Sequence, residues 1–150
     1  MLVPVMLVIA DIKGRACYML NKKAIDNLFP SDRADQFFEA LFGDASEGSY
    51  DISLEFRGQG ENSLFFEFHL KQRPGKCLSC NLTYGLPEVF SRHPVINIKG
   101  IVSAINQSLN GNTRCSGWEL GSTCNISREL HIIPFTIYLD KGNPQQYIHG

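Results

Sequence analysis

The sequence has no run of about 18 apolar residues, the length that a membrane-spanning helix needs. It also has no Gly-rich phosphate loop, no internal repeat and no Pro/Gly/Ser-rich linker. The chain is not basic, since 14 Lys and Arg stand against 15 Asp and Glu, and no aromatic residue is interleaved with the clustered bases Lys71, Arg73 and Lys76. Nucleic acid is therefore an unlikely partner. We predict a single domain over residues 1–150, with no membrane contact.

The chain has only five cysteines, which is an odd number. The opening segment MLVPVMLVIADIK lacks a basic start and a small-residue cleavage site, so we interpret it as a buried strand and not as a signal peptide. An odd number of cysteines without a secretory signal favours reduced thiols over a disulfide framework. We therefore expect a cytoplasmic protein.

The most specific short motif is the C-x-x-C of Cys77 and Cys80, which follows a turn. In a tight turn this spacing brings two thiolates to one tetrahedral zinc ion. In a regular strand, however, residues i and i+3 point to opposite faces. Further candidate ligands are scattered along the chain: Cys115, Cys124, His93 and His131. We predict no metal and no cofactor, with Cys80 a buried thiol, and a zinc domain built on Cys77, Cys80, Cys115 and Cys124 stays the alternative.

Two helices are indicated by apolar spacing and by their end signals. The first follows Ser31 as N-cap and ends at Gly43. The second runs from about Pro94 to Leu109, with Pro94 in its first turn. Apolar residues at helical spacing support both segments: Ala34, Phe37, Phe38 and Leu41 in the first, and Val95, Ile98, Val102, Ile105 and Leu109 in the second.

Strict alternation predicts three consecutive antiparallel strands between the helices, at Tyr50–Arg57, Ser63–Lys71 and Cys77–Tyr84. Folding the first two about a loop at 58–62 pairs Leu54 with Phe66. One face of the sheet is then apolar, and we expect it to be buried: Ile52, Leu54, Phe56, Leu64, Phe66, Phe68, Leu78 and Leu82.

Further strands complete the predicted fold. They lie at Arg114–Leu120 and Glu129–Leu139, and Val3–Ile12 pairs with Arg15–Leu20 as a hairpin. Pro134 cannot donate a ladder bond, so we expect a bulge or an edge there. The fold class is α+β, a mainly antiparallel sheet of five or more strands with two helices, in the order β-β-α-β-β-β-α-β-β. In element order alone, its α-β-β-β-α-β-β portion is similar to the small secretion chaperones, homodimers that bind other proteins.

The polar face of this sheet carries the candidate chemistry. The predicted register places Asp51 opposite His69 and Ser53 opposite Glu67. An Asp–His contact could raise the histidine pKa and orient the ring, so a small enzyme with His69 or His131 as its base is a second alternative. A solvated face with favourable cross-strand pairs is the interpretation that we prefer.

Ten phenylalanines in 150 residues are a heavy aromatic load. Phe37, Phe38, Phe42 and Phe65 cannot all face one core, and leftover aromatic surface is typical of an association site. We therefore predict a non-enzymatic binding or protein-interaction module, a homodimer that contacts itself near Phe65 or the Phe37/Phe38 edge, with another protein as a further candidate partner. Its predicted binding residues share the polar sheet face: Asp51, Phe65, Glu67 and His69.

Overall fold

An antiparallel sheet of five strands forms the centre of the computed structural model, which describes residues 7–12, 15–78, 85–109 and 113–141. The strands are β1 Leu7–Ile12, β2 Arg15–Met19, β3 Tyr50–Gln59, β4 Ser63–Gln72, β5 Thr113–Leu120, β6 Cys124–Asn125 and β7 Leu130–Lys141. The helices are α1 Lys22–Leu28, α2 Arg33–Phe42, α3 Leu86–Arg92 and α4 Ile98–Ser108. None of these helices has the length and hydrophobicity to cross a membrane.

The strand order is β3-β4-β7-β5, and the short β6 pairs with β7 beside β5. All pairings are antiparallel, and β1 and β2 form a separate hairpin. These features confirm the predicted α+β class with an antiparallel sheet of at least five strands.

The register of β3 and β4 differs from the prediction by two residues. Leu54 lies opposite Phe68, not Phe66, and Phe56 lies opposite Phe66. The hairpin tip causes the shift, because the Gly60 amide donates to the Ser63 carbonyl at 2.9 Å and a bulge follows Phe56. Since a shift of two keeps every side chain on its own face, the predicted buried face is still correct.

That buried face is confirmed where the structure describes it. Six of its residues are at most 2 % exposed, namely Ile52, Leu54, Leu64, Phe66, Phe68 and Leu78. Phe56 is half-buried against the same core, and Leu82 lies outside the described residues.

The predicted third strand, Cys77–Tyr84, is wrong in its place in the sheet. Cys77 and Leu78 are not in a strand, residues 79–84 lie outside the described part of the chain, and β4 pairs with β7. The reason is the composition of β7, which is apolar on both faces over most of its length and so is stabilised most at the centre of the sheet.

Pro134 lies in this central strand without breaking it. The ladder of β5 ends where Leu120 meets Phe135, and that of β6 starts where Cys124 meets Ile132. Pro134 therefore faces a gap, where its missing N–H costs no ladder bond, and its carbonyl accepts from the Gly121 amide at 2.8 Å. The sequence predicted a bulge or an edge at Pro134, and the gap between β5 and β6 is the local edge at this position.

The described part of the chain has four α-helices where the sequence predicted two. The two unpredicted helices, α1 and α3, have seven residues each, which is too short for a legible apolar stripe. The predicted helices are present but start later. Asp32 replaces Ser31 as the N-cap of α2, and α4 begins after Asn97, whose side chain accepts from the Gly100 amide at 3.1 Å.

All four helices contribute buried apolar residues to the core on one face of the sheet. Seven of the ten phenylalanines are buried there, and Phe37 and Phe38 are only 0 % and 3 % exposed. The predicted Phe37/Phe38 contact edge is therefore wrong. Rings such as Phe68 and Phe90, with centroids 5.4 Å apart, pack edge to face. Most of the phenylalanines are thus part of the core.

Candidate functional site

The second face of the five-stranded sheet is the candidate site, and we call it the open face. The buried helix residues all belong to the core on the other face, so no helix in the described part of the chain covers it. Strands β3, β4 and β7 supply most of its described side chains, and Glu119 of β5 lies on it opposite Thr136. The residues from those three strands are Asp51, Ser53, Glu55, Arg57, Phe65, Glu67, His69, Lys71, Ile132, Pro134, Thr136 and Tyr138. These side chains are exposed or half-buried.

All four predicted binding residues lie on the open face, but they do not make the predicted contacts. Asp51 lies opposite Lys71 and accepts from Arg73 Nε at 3.0 Å. His69 lies opposite Ser53. The expected Asp51–His69 contact is wrong, because the two-residue shift in register moves these side chains apart.

Glu67 is the charged centre of this face. Its carboxylate lies 2.9 Å from His69 Nε2 and 3.6 Å from Arg57 Nε, and it is directly opposite Glu55. Like charges in that position destabilise a sheet, so the flanking imidazole and guanidinium offset the repulsion. The contact with Glu67 orients the His69 ring.

Ser53 is the hydroxyl nearest His69 in the ladder, and it is the group that a histidine base would have to activate. Its Oγ is shielded from solvent and makes no hydrogen bond. A nucleophile needs a hydrogen bond to its base and access for the substrate. The pair Ser53 and His69 therefore lacks the geometry of a hydrolytic site.

The apolar part of the open face is formed by Phe65 and Tyr138, which are 42 % and 38 % exposed. They are diagonal neighbours, since Phe65 lies opposite Thr136 on β7. The Tyr138 hydroxyl donates to the Glu119 carboxylate, and the Phe65 ring lies over Gly60, where a Cβ atom would be 3.2 Å from the ring. Both rings are held in place, and together they form the aromatic patch.

Sequence reasoning found Phe65 but missed Tyr138. The segment around Tyr138 is apolar on both faces, so no polar residues marked one of its faces as open. The signal lay in the alternation, because Ile137 and Leu139 are buried and the tyrosine between them must point to the opposite face.

Cys77 is disulfide-bonded, so the expectation of reduced thiols is wrong for this residue. An odd total leaves at least one cysteine unpaired but does not exclude a single bridge. Cys115 and Cys124 are free, and Cys80 lies outside the described residues. The sulfur of a disulfide is not a thiolate and cannot bind zinc in that form. Cys77 is therefore not a zinc ligand while its disulfide is intact.

The remaining candidate ligands are far apart. Cys115 is opposite Leu139 and Cys124 is opposite Ile132, seven residues apart along β7, or about 23 Å at the rise of a strand. Burial raises the pKa of the Cys115 thiol to about 11, which disfavours the thiolate that zinc needs. Among the described residues, no three His, Cys, Asp or Glu side chains are grouped to hold a metal.

The other two candidate histidines, His131 and His93, are packed against the core. His131 is 4 % exposed on the core face of β7, opposite Leu70, and burial lowers its pKa. His93 follows α3, its Nδ1 accepts from the Val95 amide at 3.2 Å, and its ring packs on Phe37. Burial lowers the pKa of His93 as well.

Comparison of the chain with protein-family models, with curated proteins and with solved structures found no match.

Proposed function

We propose that this domain is a non-enzymatic protein-interaction module that works as a homodimer and binds through the open face. The observation that carries the proposal is the aromatic patch, in which Phe65 and Tyr138 stand on a sheet face that no described helix covers. Large exposed rings are costly to leave in water, and they are enriched where proteins bind each other.

The surroundings of the patch resemble the rim of an interface. Charged groups follow the apolar residues along the same strands, with Glu67 held between His69 and Arg57. A rim of paired charges favours one orientation of a partner and disfavours others. The rings themselves lose little freedom on binding, because each already has a contact that fixes it.

A second copy is the simplest first partner. A two-fold axis lets the same aromatic patch serve both chains, so one surface is enough to cover both copies. A cytoplasmic location stays a prediction, and the disulfide at Cys77, a bond more typical of oxidising compartments, weighs against it.

Each alternative lacks part of its site among the described residues. The zinc domain lacks the Cys77 thiolate while that residue is bridged, and Cys115 and Cys124 are on distant parts of β7. The enzyme lacks an accessible hydroxyl next to His69.

Photo-crosslinking tests the proposal directly. A photoreactive phenylalanine analogue is placed at Phe65, and a matched control carries it at Phe42, which is 59 % exposed at the end of α2 and away from the open face. In cells that make the protein, position 65 should give a discrete crosslinked product. A product of twice the chain mass identifies a second copy, and any other mass identifies a different protein. No product above the level of position 42 would contradict the proposal.

A further inference from the structure

A cavity of about 340 Å³ lies where the end of α3 meets the start of α4, in the helix layer and away from the open face. Proteins bind small ligands in cavities from about 300 Å³ upward. None of the residues that line this cavity is acidic, and the proposed function does not use it. Its polar lining consists of Ser91, Arg92, His93, Asn97 and Lys99.

Two cations line the cavity from different helices. Arg92 is the last residue of α3, and Lys99 is the second residue of α4. The Arg92 guanidinium pairs only loosely with Glu88, at 4.0 Å, and solvent weakens this pair because the two side chains are 76 % and 85 % exposed. Within the part of the chain that the structure describes, no carboxylate pairs with the Lys99 ammonium. Both charges are thus available to an anion from outside the domain.

Two uncharged side chains of the cavity supply N–H donors. His93 Nδ1 accepts from the Val95 amide at 3.2 Å, so the neutral ring carries its proton on Nε2. Asn97 Oδ1 accepts from the Gly100 amide at 3.1 Å, which leaves the Nδ2 group of Asn97 as a donor. These donors and the two cations favour a ligand that is negatively charged and rich in hydrogen-bond acceptors.

The loop between the two helices is fixed by hydrogen bonds before any ligand binds. The Asn97 amide donates to the His93 carbonyl at 3.0 Å. Arg33 of α2 donates to the carbonyls of Val95 and Ile96 at 3.0 and 3.3 Å, and its guanidinium adds a third positive charge beside the loop. A preformed site loses little conformational entropy when a ligand enters it.

We propose that this cavity binds a small phosphorylated molecule, such as a sugar phosphate, by its phosphate group. Arg92 and Lys99 pair with the phosphate oxygens, and the N–H groups of His93 and Asn97 are further donors to them. A phosphate monoester carries about −1.5 to −2 charges at neutral pH, which matches the two cations of the lining. A carboxylate carries a single charge and would leave one of the cations unpaired.

The volume of the cavity favours a phosphate ester over a free phosphate ion. A phosphate group has the bulk of about five water molecules at roughly 30 Å³ each, so it fills less than half of the cavity. Pro94, which is exposed, adds apolar surface to the lining. The remaining space accommodates an organic group of about the size of a sugar.

An NMR titration of the wild-type chain with glucose 6-phosphate tests the site, with inorganic phosphate and glucose as probes of its two parts. The sugar phosphate should shift the amide signals of residues 91–99, inorganic phosphate should bind more weakly, and glucose should not bind at up to about 10 mM. Arg92→Gln and Lys99→Gln should each raise the dissociation constant by about tenfold or more, because each removes a charge-assisted contact. Arg114→Gln is the matched control, because it removes a 68 % exposed arginine of β5 and should leave the affinity unchanged.

The outcomes separate the parts of the proposal. Arg92 and Lys99 are exposed, so both variants should keep the wild-type stability in urea denaturation, which distinguishes lost binding from lost folding. Binding of none of the probes, or equal affinity in all three variants, would overturn the site. Inorganic phosphate that binds as tightly as glucose 6-phosphate would overturn the assignment to an ester. A phosphoserine peptide that binds more tightly than the sugar phosphate would overturn the assignment to a small molecule.

Discussion

Phe65 and Phe66 are neighbours on β4 whose rings lie on opposite faces of the sheet: Phe66 is 1 % exposed within the core, and Phe65 is 42 % exposed on the open face. The Phe66 ring packs between Phe56 and Phe135, whereas the Phe65 ring lies over the hairpin tip at Gly60. One residue of sequence thus separates a core position from a surface position, which makes the pair a matched test of the fold.

Replacing Phe66 with Ala should lower the free energy of unfolding by about 3–5 kcal/mol, because it leaves a cavity among packed rings. Replacing Phe65 with Ala should change it by less than about 1 kcal/mol, since the lost contacts are largely with solvent. Urea denaturation of the two variants measures both values. Equal losses would mean that the faces are wrongly assigned.

Arg73 joins three parts of the domain. Its guanidinium donates to Asp35 at 2.7 Å, to Asp51 at 3.0 Å and to the Ala45 carbonyl at 3.0 Å, and it lies over the Phe38 ring. Arg73→Ala should cost about 1–3 kcal/mol of stability, because the carbonyl and the ring lose a charged partner. Lys cannot reproduce this fork of donors, so Arg73→Lys should recover only part of the loss. Full recovery by Lys in urea denaturation would show that only the charge matters.

Stability should fall as the pH is lowered from neutral. Burial lowers the pKa of His131 and of His93 from the ordinary value of 6.5, so the unfolded chain takes up these protons first. The stability contributed by the neutral rings is complete above the unfolded pKa and is lost as the pH falls through it towards the folded pKa. Unfolding measured between about pH 7.5 and pH 5.5 should show the loss, and His131→Gln should reduce it. An identical slope in the variant would contradict the burial of His131.

The cysteines should differ in reactivity. Cys124 is exposed, whereas Cys115 is half-buried with its thiol pKa raised to about 11 by burial. Alkylation near neutral pH, followed by mass spectrometry, should label Cys124 first, Cys115 slowly, and Cys77 only after reduction of its disulfide. Rapid labelling of Cys77 without a reductant would show that the bond is absent in solution.

The sequence predicted the faces of the sheet better than its pairings. Alternation decides which side of a strand is apolar, so Leu54, Phe66 and Phe65 were assigned correctly although the register is shifted by two residues. The shift depends on the bulge after Phe56 and on the tight turn closed at Gly60, and neither has a signature in the composition.

The candidate site was predicted in part, for the same reason. Asp51, Phe65, Glu67 and His69 share the open face because they share a parity in their strands. Their contacts could not be predicted, since a two-residue shift exchanges every cross-strand partner. The strand that pairs with β4 could not be predicted from local patterns either. Pairing with β7, and not with the segment at 77–84, depends on packing across the whole sheet.

The solution mass of the wild-type chain tests the account most directly. Light scattering over a dilution series from about 100 µM downward reports the mass at each concentration. We predict a species of twice the 16.8 kDa chain mass that dissociates on dilution. A single species of 16.8 kDa at every concentration, unchanged by Phe65→Ser, would contradict the homodimeric interaction module.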